Sequence, residues 1–142
     1  MATSIPIDLP TPAYATLSTY QAWLSAISNA QKSIDIGCYY MTLTDGMGFP
    51  SGQGGAQGML VYKALVNAAL ERGVKIRIVQ QLPSARMPAY DTANLTAIGA
   101  AEVRSIDFAN VDGYGKLGGI LHTKLMVVDG KDAYVGSANM GS

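Results

Sequence analysis

From Leu17 onward the chain switches between two hydrophobic periods. Leu17, Tyr20, Trp23, Leu24 and Ile27 recur three and four residues apart, which lines one face of a helix, and Ser18 or Thr19 stands where a cap belongs. Over Ser33 to Leu43 (SIDIGCYYMTL) the period drops to two. Ile34, Ile36, Cys38 and Tyr40 alternate with Asp35 and Gly37, which predicts a first strand. Met59 to Arg72 returns to helical spacing, with Leu60, Ala64 and Ala68 on one side and Val61, Leu65 and Ala69 beside them; Gly73 follows as a stop. Val74 to Gln81 (VKIRIVQQ) alternates strictly and predicts a second strand. A short helix is expected over Tyr90 to Gly99 and a third strand over Glu102 to Asp107. Two further strands are expected over Leu121 to Val128 and Ala133 to Ser137, with Asp129-Gly130 as the turn between them. The order α-β-α-β-α-β-β-β predicts an α/β chain: one mixed β-sheet flanked by helices.

The remaining segments carry no period. Residues 1–13 hold Pro6, Pro10 and Pro12, which remove backbone donors and disfavour helix, so they read as an irregular lead-in to a single domain over 14–142. Thr44 to Gly58 holds six glycines and a proline. It is long for an ordinary connection, and it is not a phosphate-binding P-loop because no Gly-Lys-Ser/Thr follows. It reads equally as a lid or as slack. Phe108 to Gly119 is a polar, glycine-containing connection.

Composition narrows the classes. A chain of 142 residues suits one domain, and 49% apolar with 14% charged residues excludes an intrinsically disordered chain. No apolar run approaches the ~18–20 residues of a membrane-spanning helix, and no secretory signal is visible over Met1 to Leu9. Ten basic residues balance ten acidic ones. That argues against a domain that grips a nucleic-acid backbone through excess positive charge. The single cysteine, Cys38, rules out a disulfide within the chain, and with one histidine it leaves no convincing zinc set. No cofactor is expected. Cys38, between apolar neighbours, reads as a buried inert thiol. Trp23 and Tyr20 read as core rather than as stacking platforms for bases. Tyr39 and Tyr40 fall on opposite faces of their strand, so one of them approaches whatever lies at its end. Glu71, Arg72, Lys75 and Arg77 read as a solvated surface, and Asn94-Leu95-Thr96 matches a glycosylation acceptor pattern.

The chemistry concentrates in His122 to Asn139, HTKLMVVDGKDAYVGSAN. Alternation puts His122 and Lys124 on one strand face, continued by Met126 and Val128. The turn at Asp129-Gly130 returns the chain beside itself and brings Ser137 and Asn139 toward the His122 end. An imidazole, an ammonium, a hydroxyl and an amide then converge. Lys124 offers positive charge, Ser137 and Asn139 donate hydrogen bonds to anionic oxygens, and His122 attacks phosphorus or moves a proton. This is a phosphate site by composition.

The spacing resembles the phospholipase D superfamily signature HxKxxxxDxxxxxxGSxN, matched by His122, Lys124, Asp129, Gly136, Ser137 and Asn139. At average residue frequencies six fixed positions match by chance on the order of 10⁻⁸ per starting residue. STYQAWLSAI, SIDIGCYYMTLT, ALERGVKIRIV and ILHTKLMVVDGKDAYVGSANM further resemble the amino-terminal half of the lysosomal phospholipase D3 and D4 branch of 5′-exonucleases. The resemblance implies a phospholipase D-like half-domain and metal-independent phosphodiester hydrolysis through a phosphohistidine. His122 would be the nucleophile or the general acid, and Lys124 and Asn139 would bind phosphate oxygens. Asp129 would complete the catalytic set with His122 and Lys124, more by fixing the site than by reacting. Ser137 would support the phosphate site and Gly136 the local backbone. The substrate would be the 5′ end of single-stranded nucleic acid, with phospholipid as the alternative. The compartment of that branch is the endolysosomal lumen.

The departure from the family is one of number. Members use two such motifs, one histidine attacking while the other protonates the leaving oxygen, and this sequence has one motif and one histidine. The second half is expected from a homodimer or from a further domain, so these residues would be a fragment or half of an enzyme. The membrane anchor and lumenal disulfides of the branch are not seen in them. Two other readings stay open. The motif persists as a non-catalytic phosphate- or partner-binding site, or the chain is a truncated product in which Met126 and Val128 are partly uncovered.

Overall fold

The computed structural model describes residues 2–3, 17–44, 53–110 and 119–141. Two residues of the lead-in, β1 (Ala2–Thr3), pair in parallel with β2 (Leu17–Ser18), so that stretch is not wholly irregular; its prolines lie outside the described residues. Helix α1 (Thr19–Asn29) follows. Ser18 caps it: its hydroxyl accepts from the Gln21 N–H while the Gln21 side chain accepts from the Ser18 N–H, a reciprocal capping box. Trp23 and Ile27 form the buried stripe of the helix.

The predicted first strand divides in two. β3 (Ser33–Cys38) belongs to the main sheet, whereas β4 (Met41–Thr42) leaves it. Tyr39 and Tyr40 lie at the break. Helix α2 (Gln53–Leu70) begins six residues before the expected Met59 and absorbs the end of the glycine-rich stretch; the rest of that stretch, 45–52, lies outside the described residues. Glycine is a poor helix former, but Gly55 and Gly58 are buried, and packing overrides propensity there. β5 (Lys75–Gln81), α3 (Tyr90–Ala97) and β6 (Glu102–Ile106) follow close to expectation. A single 3₁₀ turn at Phe108–Asn110 opens the connection to β7 (Lys124–Val128), and β8 (Asp132–Val135) returns beside it. A last pair, β9 (Met140–Gly141), runs parallel with β4.

The main sheet has the order β6-β5-β3-β7-β8, parallel from β6 to β3 and antiparallel from β3 to β8. The α/β class with one mixed sheet is therefore observed. Ile34, Ile36, Ile76, Ile78, Met126 and Val128 form the buried sheet face, meeting Trp23 and Ile27 of α1 and Val61, Leu65 and Ala68 of α2 in one core. Met126 and Val128, read as partly uncovered in a truncated product, are in fact buried; Val135 on the edge strand is exposed, at 77%. Trp23 lies in the core and Tyr20 packs against it, as expected. The opposite face of the sheet carries a bidentate pair of Arg77 on Asp35, which are register neighbours.

Arg72 is more than solvated surface. Its guanidinium donates to the carbonyls of Ile27, Ser28 and Ala30 at 2.8–3.1 Å, the last turn of α1, which has no basic residue of its own. Buried Asp91 of α3 accepts from the Leu43 and Thr44 N–H groups and from the Thr44 hydroxyl, which ties the chain after β4 to that helix. Asn94 is exposed on α3. Among the described residues no helix is long and apolar enough to cross a membrane.

Candidate active site

The ladder explains where the site falls. β3 and β7 pair from Ile34↔Val128 to Cys38↔Lys124, and there both strands lose their partner. The predicted fourth strand therefore starts three residues late, because Leu121, His122 and Thr123 lie beyond the last rung. His122 and Lys124 meet by a different route from strand alternation. Lys124 is buried among the core-facing positions of β7, at 6% exposure, while His122 is exposed. The Lys124 ammonium turns back and donates to the His122 carbonyl oxygen at 2.8 Å. Leu121 is held by its N–H, which donates to the Gln81 side-chain oxygen at 2.7 Å. Gln81, at the end of β5, is a site neighbour that sequence spacing does not reveal.

Tyr39 sits against both groups. Its ring centroid is 5.0 Å from that of His122, and the Lys124 Nζ is 5.7 Å from the same centroid, within the range of a cation–π contact. Tyr40 stacks at a tilt against Tyr39 at 5.3 Å and reaches the other side of the site. Its hydroxyl accepts from the Asn139 Nδ2 at 3.1 Å. The Asn139 Oδ1 is buried and has no partner among the described residues.

The returning strand supplies the third element. The Gly136 N–H donates to the Lys124 carbonyl at 3.1 Å, which lays the Gly136–Asn139 segment beside the start of β7. A Cβ at Gly136 would come within 2.2 Å of the Tyr134 hydroxyl, so a side chain there requires the Tyr134 ring to move. Ser137 is exposed next to it. His122, Lys124, Ser137 and Asn139 thus cluster at one end of the β7–β8 hairpin.

Asp129 does not join them. It lies at the other end of β7, about 16 Å away at ~3.3 Å per residue. Its carboxylate accepts from the Gln31, Lys32 and Ser33 N–H groups at 2.7–2.9 Å, and its own N–H donates to the Ser33 carbonyl. Those N–H bonds, Ser33 foremost, hold its carboxyl below the usual carboxylate range. Its φ of 56° fits a turn position that aspartate tolerates. Asp129 pins the turn.

The electrostatics favour an anion. Lys124 carries a positive charge away from water, and burial pulls its pKa down from the ordinary lysine value. No carboxylate forms an ion pair with it among the described residues, where the two ion pairs are Arg77–Asp35 and Arg104–Glu102. A buried ammonium without a counter-ion is costly, and an ammonium has three donors to place. A bound anionic oxygen answers both demands. Cys38, the cross-strand neighbour of Lys124, has its thiol pushed up to about 12 by burial, with Lys124 opposing the shift. Among the described residues no group of three or more His, Cys, Asp or Glu side chains is placed to hold a metal.

Residues 23–142 match the family described as "Cardiolipin synthase, PLD-like domain". Phospholipase D Z of Dictyostelium discoideum is 51% identical over 140 residues, which is 99% of this chain and 31% of that protein. The human protein named 5'-3' exonuclease PLD3 is 37% identical over 139 residues, 96% of this chain and 27% of that protein. The chain therefore spans about a third of the length of these relatives. Among solved structures, NucT from Helicobacter pylori superposes with a TM-score of 0.52 at 17% identity, covering 84% of this chain and 65% of that one, a likeness of fold.

Proposed function

The chain belongs to the PLD-like domain family, and on that premise we propose that it is one half of a phosphodiesterase site of the phospholipase D type. The carrying observation is Lys124, a buried ammonium without a counter-ion among the described residues, beside an exposed imidazole. In this reading Lys124, Ser137 and Asn139 hold the non-bridging phosphate oxygens. The His122 imidazole attacks phosphorus as the bond to the leaving oxygen breaks. A second imidazole, from another copy or another half, gives that oxygen its proton. Water then attacks the phosphohistidine, losing its proton to the second imidazole, and the His122–phosphorus bond breaks. Single-stranded nucleic acid with a free 5′ end is the favoured substrate, on the strength of the PLD3 relatives. A phospholipid is the alternative, on the strength of the names of the Dictyostelium relatives.

The test is hydrolysis of bis(p-nitrophenyl) phosphate across a protein concentration series, beside orthovanadate binding, for wild type and His122→Ala, with and without chelator. Specific activity that rises with concentration, survives chelator and vanishes in His122→Ala supports a shared site between two copies. Vanadate binding without turnover favours the non-catalytic phosphate-binding reading, in line with the one histidine of the sequence. Wild type that neither binds vanadate nor turns over refutes both.

A further inference from the structure

We propose that Tyr40 is a positioning residue for Asn139 and that its hydroxyl sets the plane of the Asn139 amide toward the bound phosphate. The proposal rests on the phosphate-site reading above. The backbone explains the placement. After Cys38 the chain leaves the main sheet, and Met41 pairs in parallel with Met140. That register puts the residues just before each, Tyr40 and Asn139, side by side. The hydroxyl lies 3.1 Å from Nδ2 and accepts its proton.

An asparagine χ2 has no narrow staggered wells, so an unsupported amide sweeps a broad range of orientations. One bond from Nδ2 to Tyr40 fixes the amide plane and leaves the second Nδ2 hydrogen free to donate elsewhere. Oδ1, on the other side, is buried without a partner among the described residues and cannot fix the plane. The rings add the link to the reacting group: Tyr40 rests on Tyr39, and Tyr39 on His122 and under Lys124. The two sequence-distant parts of the motif, His122–Lys124 and Gly136–Asn139, are thereby held in one frame by adjacent tyrosines.

Tyr40→Phe keeps the ring and removes only the hydroxyl. The experiment measures orthovanadate dissociation constants for wild type, Tyr40→Phe, Asn139→Ala and the double variant, with thermal unfolding of each. It adds the side-chain amide ¹H–¹⁵N resonances of Asn139 in wild type and Tyr40→Phe. We expect Tyr40→Phe and Asn139→Ala each to weaken vanadate about tenfold and the double variant to bind no more weakly than Asn139→Ala alone. The Asn139 amide resonances should shift. Wild-type affinity in Tyr40→Phe, fully additive losses, or unmoved amide resonances would overturn the proposal while the phosphate site stands. Failure of wild type itself to bind vanadate overturns the phosphate site, and this proposal with it.

Discussion

Arg72→Met should lower stability by about 2 kcal/mol without touching the site. Arg72 follows α2, and its fork spans the open end of α1, donating to the Ile27, Ser28 and Ala30 carbonyls, two of the bonds being 2.8 Å. The last carbonyls of any helix lack intrahelical donors, and they carry the negative end of the macrodipole. Methionine preserves the stem length and loses the charge and all donors. A cation at a helix C-terminus contributes roughly 0.3–1 kcal/mol when exposed and up to ~2 when partly buried. Hydrogen bonds to charged groups contribute about 1.5–3 kcal/mol. The Arg72 side chain is exposed while two of its bonds are half-buried, and the contributions overlap, so we take a net loss of about 2 kcal/mol. At roughly 2–4 °C per kcal/mol for a domain of this size, Tm should fall by about 4–8 °C.

The assay is urea and thermal denaturation of wild type, Arg72→Met and Arg72→Lys. Lysine keeps the charge but not the fork, so it should fall between the other two. Vanadate affinity of the folded variants should match wild type, because Arg72 meets α1 at the end of the sheet remote from His122. An Arg72→Met loss below about 0.5 kcal/mol would refute the capping argument, and it would return Arg72 to the solvated surface that its sequence neighbourhood suggests.

Asp129→Asn should destabilise the chain near neutral pH. A carboxyl whose folded pKa is depressed contributes stability above its unfolded value, near ~3.9, and loses it as pH falls through the folded value. The wild-type and Asp129→Asn stability curves should therefore converge below about pH 4; a gap that is constant with pH would refute the role. Cys38, with its thiol near 12, is about one part in ten thousand thiolate at pH 8, so an aromatic disulfide reagent should label it only after unfolding. Rapid labelling of native protein would show that the β3 end opens.

How much of this was legible follows from range. Runs with a sustained period, such as Lys75 to Gln81 and Lys124 to Val128, lie within three residues of their observed limits, whereas the alternation from Ser33 to Leu43 continues five residues past the end of β3. Two-residue strands have no period, so β9 and the break that sets β4 apart from β3 are not legible in the sequence, and with them the meeting of Tyr40 and Asn139. The turn chemistry of Asp129 was visible in Asp-Gly. The amides that bind its carboxylate, 96 to 98 residues earlier, were not. Arg72 was misread for the same reason, since its partners lie 42 to 45 residues away on another helix.

The spacing of the motif then acquires a mechanical meaning. Four residues separate Lys124 from Asp129 because that is the body of β7, and Asp129 is where the chain must turn. The return strand pairs Val135 with Leu125, so the next residue, Gly136, falls opposite Lys124 and donates to its carbonyl. The interval from Asp129 to Gly136 is therefore the length needed to come back level with Lys124. A one-residue slip in that return would carry every side chain of β8 to the other face and take Ser137 and Asn139 off the His122 end. Asp129 guards the register from the far end by binding the corner at Gln31–Ser33, which leads into β3, the neighbour of β7. The aspartate is thus tied to the histidine by hairpin geometry while its carboxylate stays bound to backbone amides at the opposite end of the strand.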